Sequence, residues 1–301
     1  MIMEKPKLLS EEVEQQIIRL IQKSLEEGHS VPDSLHILAG MLLDKDSKIP
    51  DDIGLLLSNS VEDYRYLIQN HNYLSSIRDT FNLIYDYMFQ MEDVTFKIEG
   101  RRKGVVNSLE KMIRLLNQGR ALDLFRDAMG IRIIIFGNEC EDLQKKAYQI
   151  TNDMINFMSK KHFILCEADP IPHDVTLNDG IAEHILIPKE SSVLPLYCTG
   201  VKDYFLYPKY NGYQSLHTVF RARNNSFIEI QVRTEQMHLH AEYNDAKHSL
   251  YKIDKYGDRL HSKLDFSKVH MPGFRYMKDG IIYDDIGLQT SMLTFYRTKS
   301  F

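Results

Sequence analysis

Val13, Ile17, Ile21 and Leu25 recur at intervals of four within residues 10–28. That spacing puts them on one buried stripe of an α-helix. Ser10 is placed to cap it, Glu11 and Glu12 suit its positive end, and Gly28 closes it. A second short helix is expected after Pro32. Ser60-Val-Glu-Asp63 then reads as a capping box with Asp in the usual place of Glu. Apolar positions 67, 74, 81, 88 and 77, 84, 91 follow with seam spacing, suited to packing on a partner helix or on the protein's own core. Own-core packing is the expectation for this helical N-terminal region, residues 1–93.

The period changes at Val94. VTFKIEG alternates as a strand does, and the basic cluster Arg101, Arg102, Lys103 follows it. A helix is predicted over residues 105–117, carrying Lys111. Residues 131–136 form a nearly continuous apolar run, the pattern of a buried strand, with Asp127 just before it and Arg132 just inside it. A covering helix over 141–158 and a strand over 163–166 come next. Residues of about 160–200, with several prolines and scattered acids, read as an irregular insertion. Two further strands are predicted over 215–222 and 227–232. In the second, Ile228, Ile230 and Val232 face one way and Glu229, Gln231 and Arg233 the other. A helix from 234 to about 251 and a polar tail, 253–301, complete the chain. Strands separated by helices predict an α+β, α/β-like fold: a mixed β-sheet flanked by helices, occupying residues 94–252.

With 43% hydrophobic and 26% charged residues over 301 positions, the chain has the make-up of a soluble globular protein. No apolar run approaches the ~18 residues of a membrane span, and the N-terminus lacks the order of a secretory signal. Cys140, Cys166 and Cys198 are odd in number and widely spaced, which argues for a reducing cytoplasm rather than a disulfide framework. The net charge of -5 argues against a general nucleic-acid binder while allowing a local basic cleft.

The densest chemistry lies in KDYFLYPKYNGYQSLHT, residues 202–218. Asn211-Gly212 is a turn signal because both residues tolerate positive φ. The turn presents Lys209, Asn211 and Tyr213. A tyrosine face can stack a purine, and a lysine offers a point charge to phosphate. Asp127 and Glu229 are two carboxylates expected to converge across neighbouring strands. Carboxylates amid cations suit a Mg²⁺–nucleotide site, because Mg²⁺ takes one or two protein oxygens and completes its shell with phosphate. Arg101, Lys103, Lys111 and Arg132 would neutralise a polyphosphate.

GRRKGVVNSLEKM, RDAMGIRIII, KDYFLYPKYNGYQSLHT, IEIQVRT and MHLHAEYNDAKHSLYK occur in that order. Together they closely resemble the synthetase domain of the RelA/SpoT family of alarmone (p)ppGpp synthetases, over roughly residues 95–252. The resemblance implies a nucleotidyltransferase-like synthetase fold. It also implies transfer of pyrophosphate from ATP to the 3′-hydroxyl of GDP or GTP, with release of AMP and a need for Mg²⁺. By motif, Arg101 and Arg132 correspond to an adenine sandwich, and Lys103 and Lys111 to ATP-phosphate contacts. Asp127 corresponds to the metal ligand, and Glu229 to a second acid that assists the metal and activates the hydroxyl. Tyr213 corresponds to the residue stacked on guanine, with Lys202, Lys209, Asn211 and His217 as acceptor contacts. Asn107 stands where many relatives have Ser.

The one His-Asp pair, His173-Asp174, lies in the insertion, so the hydrolase domain of long family members is not expected. Few residues follow Tyr251, and a small stand-alone cytoplasmic synthetase is the reading. A homo-oligomer is left open. An alternative keeps the chemistry but changes the acceptor, as in toxin-type relatives that modify adenosine nucleotides or the 3′ end of tRNA. Lys247, Lys252, Lys255, Arg259, Lys263 and Lys268 would then form a phosphate track.

Overall fold

The structure is a computed structural model. It describes residues 9–119, 127–138, 141–166, 200–209, 212–224, 226–243, 260–269, 274–278, 281–285 and 291–300. Asn211, the His173-Asp174 pair, most of the expected insertion, Lys247, Lys252, Lys255 and Arg259 lie outside the described residues. The chain divides into two compact units. The first comprises Met1–Ile77, Arg101–Ala128 and Tyr256–Phe295, and the second Arg78–Gly100, Met129–Lys255 and Tyr296–Phe301. Residues 101–128 therefore cluster with the N-terminal helices, although they carry the first basic motif.

The first unit is helical at its core. α1 (Glu11–Glu27) starts at Ser10, whose hydroxyl accepts from the Val13 N–H at 3.3 Å, and it buries Ile17, Ile21 and Leu25. α2 (Val31–Leu43) is capped by Ser30 and carries Pro32 in its first turn, where the missing N–H costs nothing. α3 (Asp51–Gln69) packs tightly on it, since a Cβ on Gly54 would collide with the Leu42 carbonyl. These helices share one apolar core with Val105, Leu109, Met112 and Leu116 of α5 (Val105–Asn117).

The capping box expected at Ser60 does not form. α3 runs straight through it, and the Ser60 hydroxyl donates to the Leu56 carbonyl at 2.9 Å. Leu57, Val61, Tyr64 and Ile68 continue one buried stripe across the site, and that burial outweighs a local cap. The seam-spaced segment is broken at Asn70, after which α4 (His71–Phe89) begins.

In the second unit a mixed sheet runs in the order β3 (Ile164–Leu165), β5 (Leu216–Arg221), β6 (Phe227–Thr234), β2 (Met129–Phe136) and β1 (Thr95–Lys103). β4 (Val201–Asp203) pairs with β5. β2 and β6 are parallel, whereas β5 is antiparallel to β3, β4 and β6. The expected mixed sheet flanked by helices is the fold observed. Ile131, Ile133, Ile135, Ile228, Ile230 and Val232 are all buried in it. Phe81, Ile84 and Met88 of α4 are buried as well, and Tyr87 stacks on Phe157 of α6 (Glu141–Lys160) at 4.2 Å between ring centres.

The polar tail forms strands: β7 (Phe274–Lys278) and β8 (Ile281–Asp285) make an antiparallel hairpin, and β9 (Ser291–Lys299) follows. The Lys299 ammonium donates to the Phe89 and Met91 carbonyls, each at 2.8 Å. Among the described residues no helix is long and apolar enough to cross a membrane.

The two serines differ in role, and stability measurements separate them. Ser10→Ala removes a helix cap and is expected to cost about 1 kcal/mol. Ser60→Ala removes only a bond back to the preceding turn and is expected to stay within about 0.5 kcal/mol. Urea unfolding midpoints check both. Equal losses would contradict the helix start at Ser10 or the continuity of α3.

Candidate functional site

In the first unit the basic motif is organised by strand alternation. Along β1 burial alternates strictly, so Arg101 and Lys103 share one face and Arg102 turns to the other. Arg102 is buried and donates to the Ile68 carbonyl at 2.9 Å, a structural task. The Tyr64 hydroxyl donates to the Lys103 carbonyl at 2.8 Å and holds the strand end. Gly104 then starts α5, whose geometry carries Lys111 to the same carboxylate that Lys103 reaches. Asp127 Oδ2 meets Lys103 Nζ and Oδ1 meets Lys111 Nζ, both at 2.8 Å.

Burial works against the Asp127 charge, but the two ammonium groups outweigh it and hold the carboxyl well below its ordinary range. Two cations on one anion leave a net positive cluster that a polyphosphate can complete.

In the second unit, register builds the other cluster. Lys202 pairs with His217, His217 with Gln231, and Gln231 with Arg132. One row therefore crosses β4, β5, β6 and β2 with its side chains on one face. Glu229 lies two residues before Gln231 on that face, opposite Gly130. Its Oε1 lies 3.0 Å from His217 Nδ1, and its Oε2 accepts from Gln231 Nε2 at 2.6 Å. His217 Nε2 lies 3.0 Å from the Tyr213 hydroxyl. With the ring proton on Nδ1, Tyr213 donates to His217 and His217 donates to Glu229, satisfying all three.

Burial disfavours an imidazolium at His217, but Tyr213 and then Glu229 outweigh it and raise its pKa. Burial likewise raises the Tyr213 phenol, and the positive groups at His217, Arg233 and Arg132 reverse that and lower it.

Arg132 is not a free stacking plate. Its Nη1 reaches Glu242 at 2.9 Å, its Nε donates to Gln231 Oε1 at 3.3 Å, and Glu99 lies 3.8 Å away. Glu242 belongs to α7 (Glu235–Tyr243) and also takes Arg233 Nη2 at 3.1 Å. Arg233 is fully buried and makes a second bond, to His238 Nδ1 at 2.6 Å. Burial, then Arg233, pushes His238 down to about 4, so it is neutral at pH 7 and accepts that bond. The polar face of β6 is thus covered by α7 rather than solvent beyond Glu229. Arg233, His238 and Glu242 were missed in the sequence, although His238 and Glu242 are four apart and share a helix face.

The Tyr-rich turn is held by its backbone. Gly212 N–H donates to the Lys209 carbonyl at 2.7 Å and Lys209 N–H to the Tyr213 carbonyl at 3.1 Å. Gly212 has φ 73°, the left-handed geometry expected of it. At its entry Asp203 Oδ1 accepts from the Phe205 and Leu206 N–H groups, each at 2.9 Å. Its Oδ2 accepts from the Tyr148 hydroxyl at 2.8 Å.

Residues 183–256 match the family model described as "Region found in RelA / SpoT proteins". Three of the five motifs, from KDYFLYPKYNGYQSLHT onward, lie within this stretch. A stretch of 64 residues is 50% identical to a probable GTP diphosphokinase, RSH3, of Arabidopsis thaliana chloroplasts, covering 21% of this chain and 9% of that one. A GTP pyrophosphokinase of Streptomyces antibioticus is 51% identical over 51 residues, 17% of this chain and 6% of its own. The matched stretches therefore span under a tenth of these relatives' length. Among solved structures, the small alarmone synthetase 1 of Bacillus subtilis bound to its product pppGpp is similar at 21% identity. That likeness covers 67% of this chain and 85% of the other, with a TM-score of 0.37.

The Asp127 ion pairs have a pH signature. Its folded pKa lies below its ordinary 3.8, so the pairs contribute stability above about pH 4 and lose it as pH falls further. Asp127→Asn is expected to lower the unfolding midpoint at pH 7 and to flatten the acid limb of stability below about pH 4. A variant whose acid limb parallels that of the wild type would contradict the pairing.

Proposed function

We propose that this RelA/SpoT-region protein is a GTP/GDP pyrophosphokinase, making (p)ppGpp from ATP and a guanosine nucleotide and releasing AMP. The observation that carries the reading is Glu229, held by His217 on one oxygen and Gln231 on the other, with Tyr213 on the same hydrogen-bond chain. A carboxylate so oriented is a positioned base. In the transfer, the acceptor's O3′ bonds to the β-phosphorus of ATP and the bond from that phosphorus to the AMP oxygen breaks. The hydroxyl proton passes to Glu229. Such transfer depends mostly on alignment and on neutralising charge.

Lys103 and Lys111 supply cations for the ATP phosphates, and Arg101 and Arg132 are the arginines assigned to adenine. Tyr213 offers its ring to guanine, and Lys202 and Lys209 offer charge to the acceptor's phosphates. Asp127 fits a Mg²⁺ ligand: its carboxyl stays ionised, and each oxygen, carrying one lysine bond, keeps an acceptor site. Among the described residues no group of three or more His, Cys, Asp or Glu is gathered for a metal. Glu229 is the second acid that the motifs give to the metal, and phosphate and water would complete the shell, as Mg²⁺ prefers. When bound, Mg²⁺ would neutralise phosphate charge.

A free nucleotide is favoured over RNA as acceptor, because the described late cations are already matched: Lys263 with Glu14 at 3.6 Å and Lys268 with Asp265 at 3.4 Å.

Purified protein with ATP, GDP or GTP, and Mg²⁺ is expected to yield AMP and a 3′-pyrophosphorylated guanosine nucleotide on anion-exchange chromatography. Glu229→Ala is expected to lower kcat by at least about 10²-fold, with the fold intact by circular dichroism. Absence of a guanosine product at saturating nucleotides would reject the assignment.

A further inference from the structure

Tyr204 is not among the residues to which the motifs assign a role. It nevertheless stands in the middle of the Tyr-rich turn's packing. Its N–H donates to the Ser215 carbonyl at 3.1 Å, which extends the β4–β5 pairing by one step and sets the ring beside Tyr213. The two ring centres lie 6.0 Å apart with planes at 72°. The Lys209 ammonium sits over both, 4.7 Å from the Tyr204 centre and 4.5 Å from the Tyr213 centre. Both distances are inside the range of cation–π attraction, about 6 Å. The edge of Tyr204 also meets His217 at 5.1 Å between ring centres, so the same ring touches the hydrogen-bond chain to Glu229.

We propose that Tyr204 and Lys209 make this pocket selective for phosphorylated guanosine over the bare nucleoside. The inference rests on the acceptor role proposed above for Tyr213. The Lys209 ammonium covers one face of the Tyr213 ring, and the proposal places the acceptor purine on that face. A nucleotide brings its own reward for moving that ammonium, because its phosphates take up the Lys209 charge once the base has displaced it. A nucleoside brings no anion and must break the cation–π contacts uncompensated. Tyr204 is a positioning residue in this scheme: it supplies the second ring that holds the cation in place. All three side chains are partly exposed, so a ligand can reach them.

Calorimetric titration of guanosine and of GDP into the full chain tests this. In Lys209→Ala, guanosine affinity is expected to rise roughly 3-fold or more, while GDP affinity falls roughly 10-fold. Tyr204→Leu should raise guanosine affinity roughly 2-fold without the loss for GDP, and Tyr204→Phe, which keeps the ring, should match the wild type. Thermal melts establish that each variant is folded.

Should the wild type bind GDP while Lys209→Ala leaves guanosine affinity level or lower, the selectivity device is overturned and the acceptor role stands. Should Tyr204→Leu weaken both ligands by one factor, Tyr204 serves packing alone and its part falls. A wild type that binds neither ligand overturns the acceptor role and this proposal together.

Discussion

The parallel pairing of β2 with β6 is the constraint on which the second unit's chemistry depends. Gly130 opposes Glu229 and Arg132 opposes Gln231, while β5, antiparallel on the other edge, brings His217 opposite Gln231. Side chains alternate with a period of two, so a slip of one residue in either pairing would send Glu229, Gln231 and His217 to opposite faces. The apolar side chains on the other face lock the register. Ile131, Ile133, Ile230 and Val232 are all buried, and a slip would expose them.

That arrangement places several charges where water is scarce, and the structure answers each with a specific partner. Isolated buried ions are costly, and removing one member of a buried pair leaves the other stranded. Glu242 answers both Arg132 and Arg233 with a single oxygen. His238, kept neutral by burial and by Arg233, acts as an acceptor rather than as another cation. Arg102 is tied instead to a helix carbonyl. Arg132 and Arg233 thus share one carboxylate while Arg102 takes a carbonyl, and of these three only Arg132 carries an assigned substrate role.

The first unit solves a related problem with fewer parts. Asp127 divides its two oxygens between Lys103 and Lys111, which come from a strand end and from a helix that starts two residues later. Gly104 joins them, and the Tyr64 bond to the Lys103 carbonyl fixes the strand's last residue. The result is a net positive cluster made from residues close in sequence.

Local order was therefore largely readable from the chain. The helix over 105–117, the strand core at 131–136 and the turn at Gly212 follow from periodicity and from the demand for positive φ. The motifs also named Asp127, Glu229, Tyr213 and the lysines. Ser60 shows where local signals fail: a cap pattern inside a buried stripe loses to the burial of that stripe. The β7–β8 hairpin was missed although its strands are neighbours in sequence on either side of Asp279-Gly280, a turn signal. Covering of β6 by α7, the answering of Arg132 by Glu242 and the seating of Lys209 on two tyrosine rings were decided only in three dimensions. Alternation and propensity act between neighbours along the chain, whereas pairing register and the matching of buried charge act between residues a hundred positions apart.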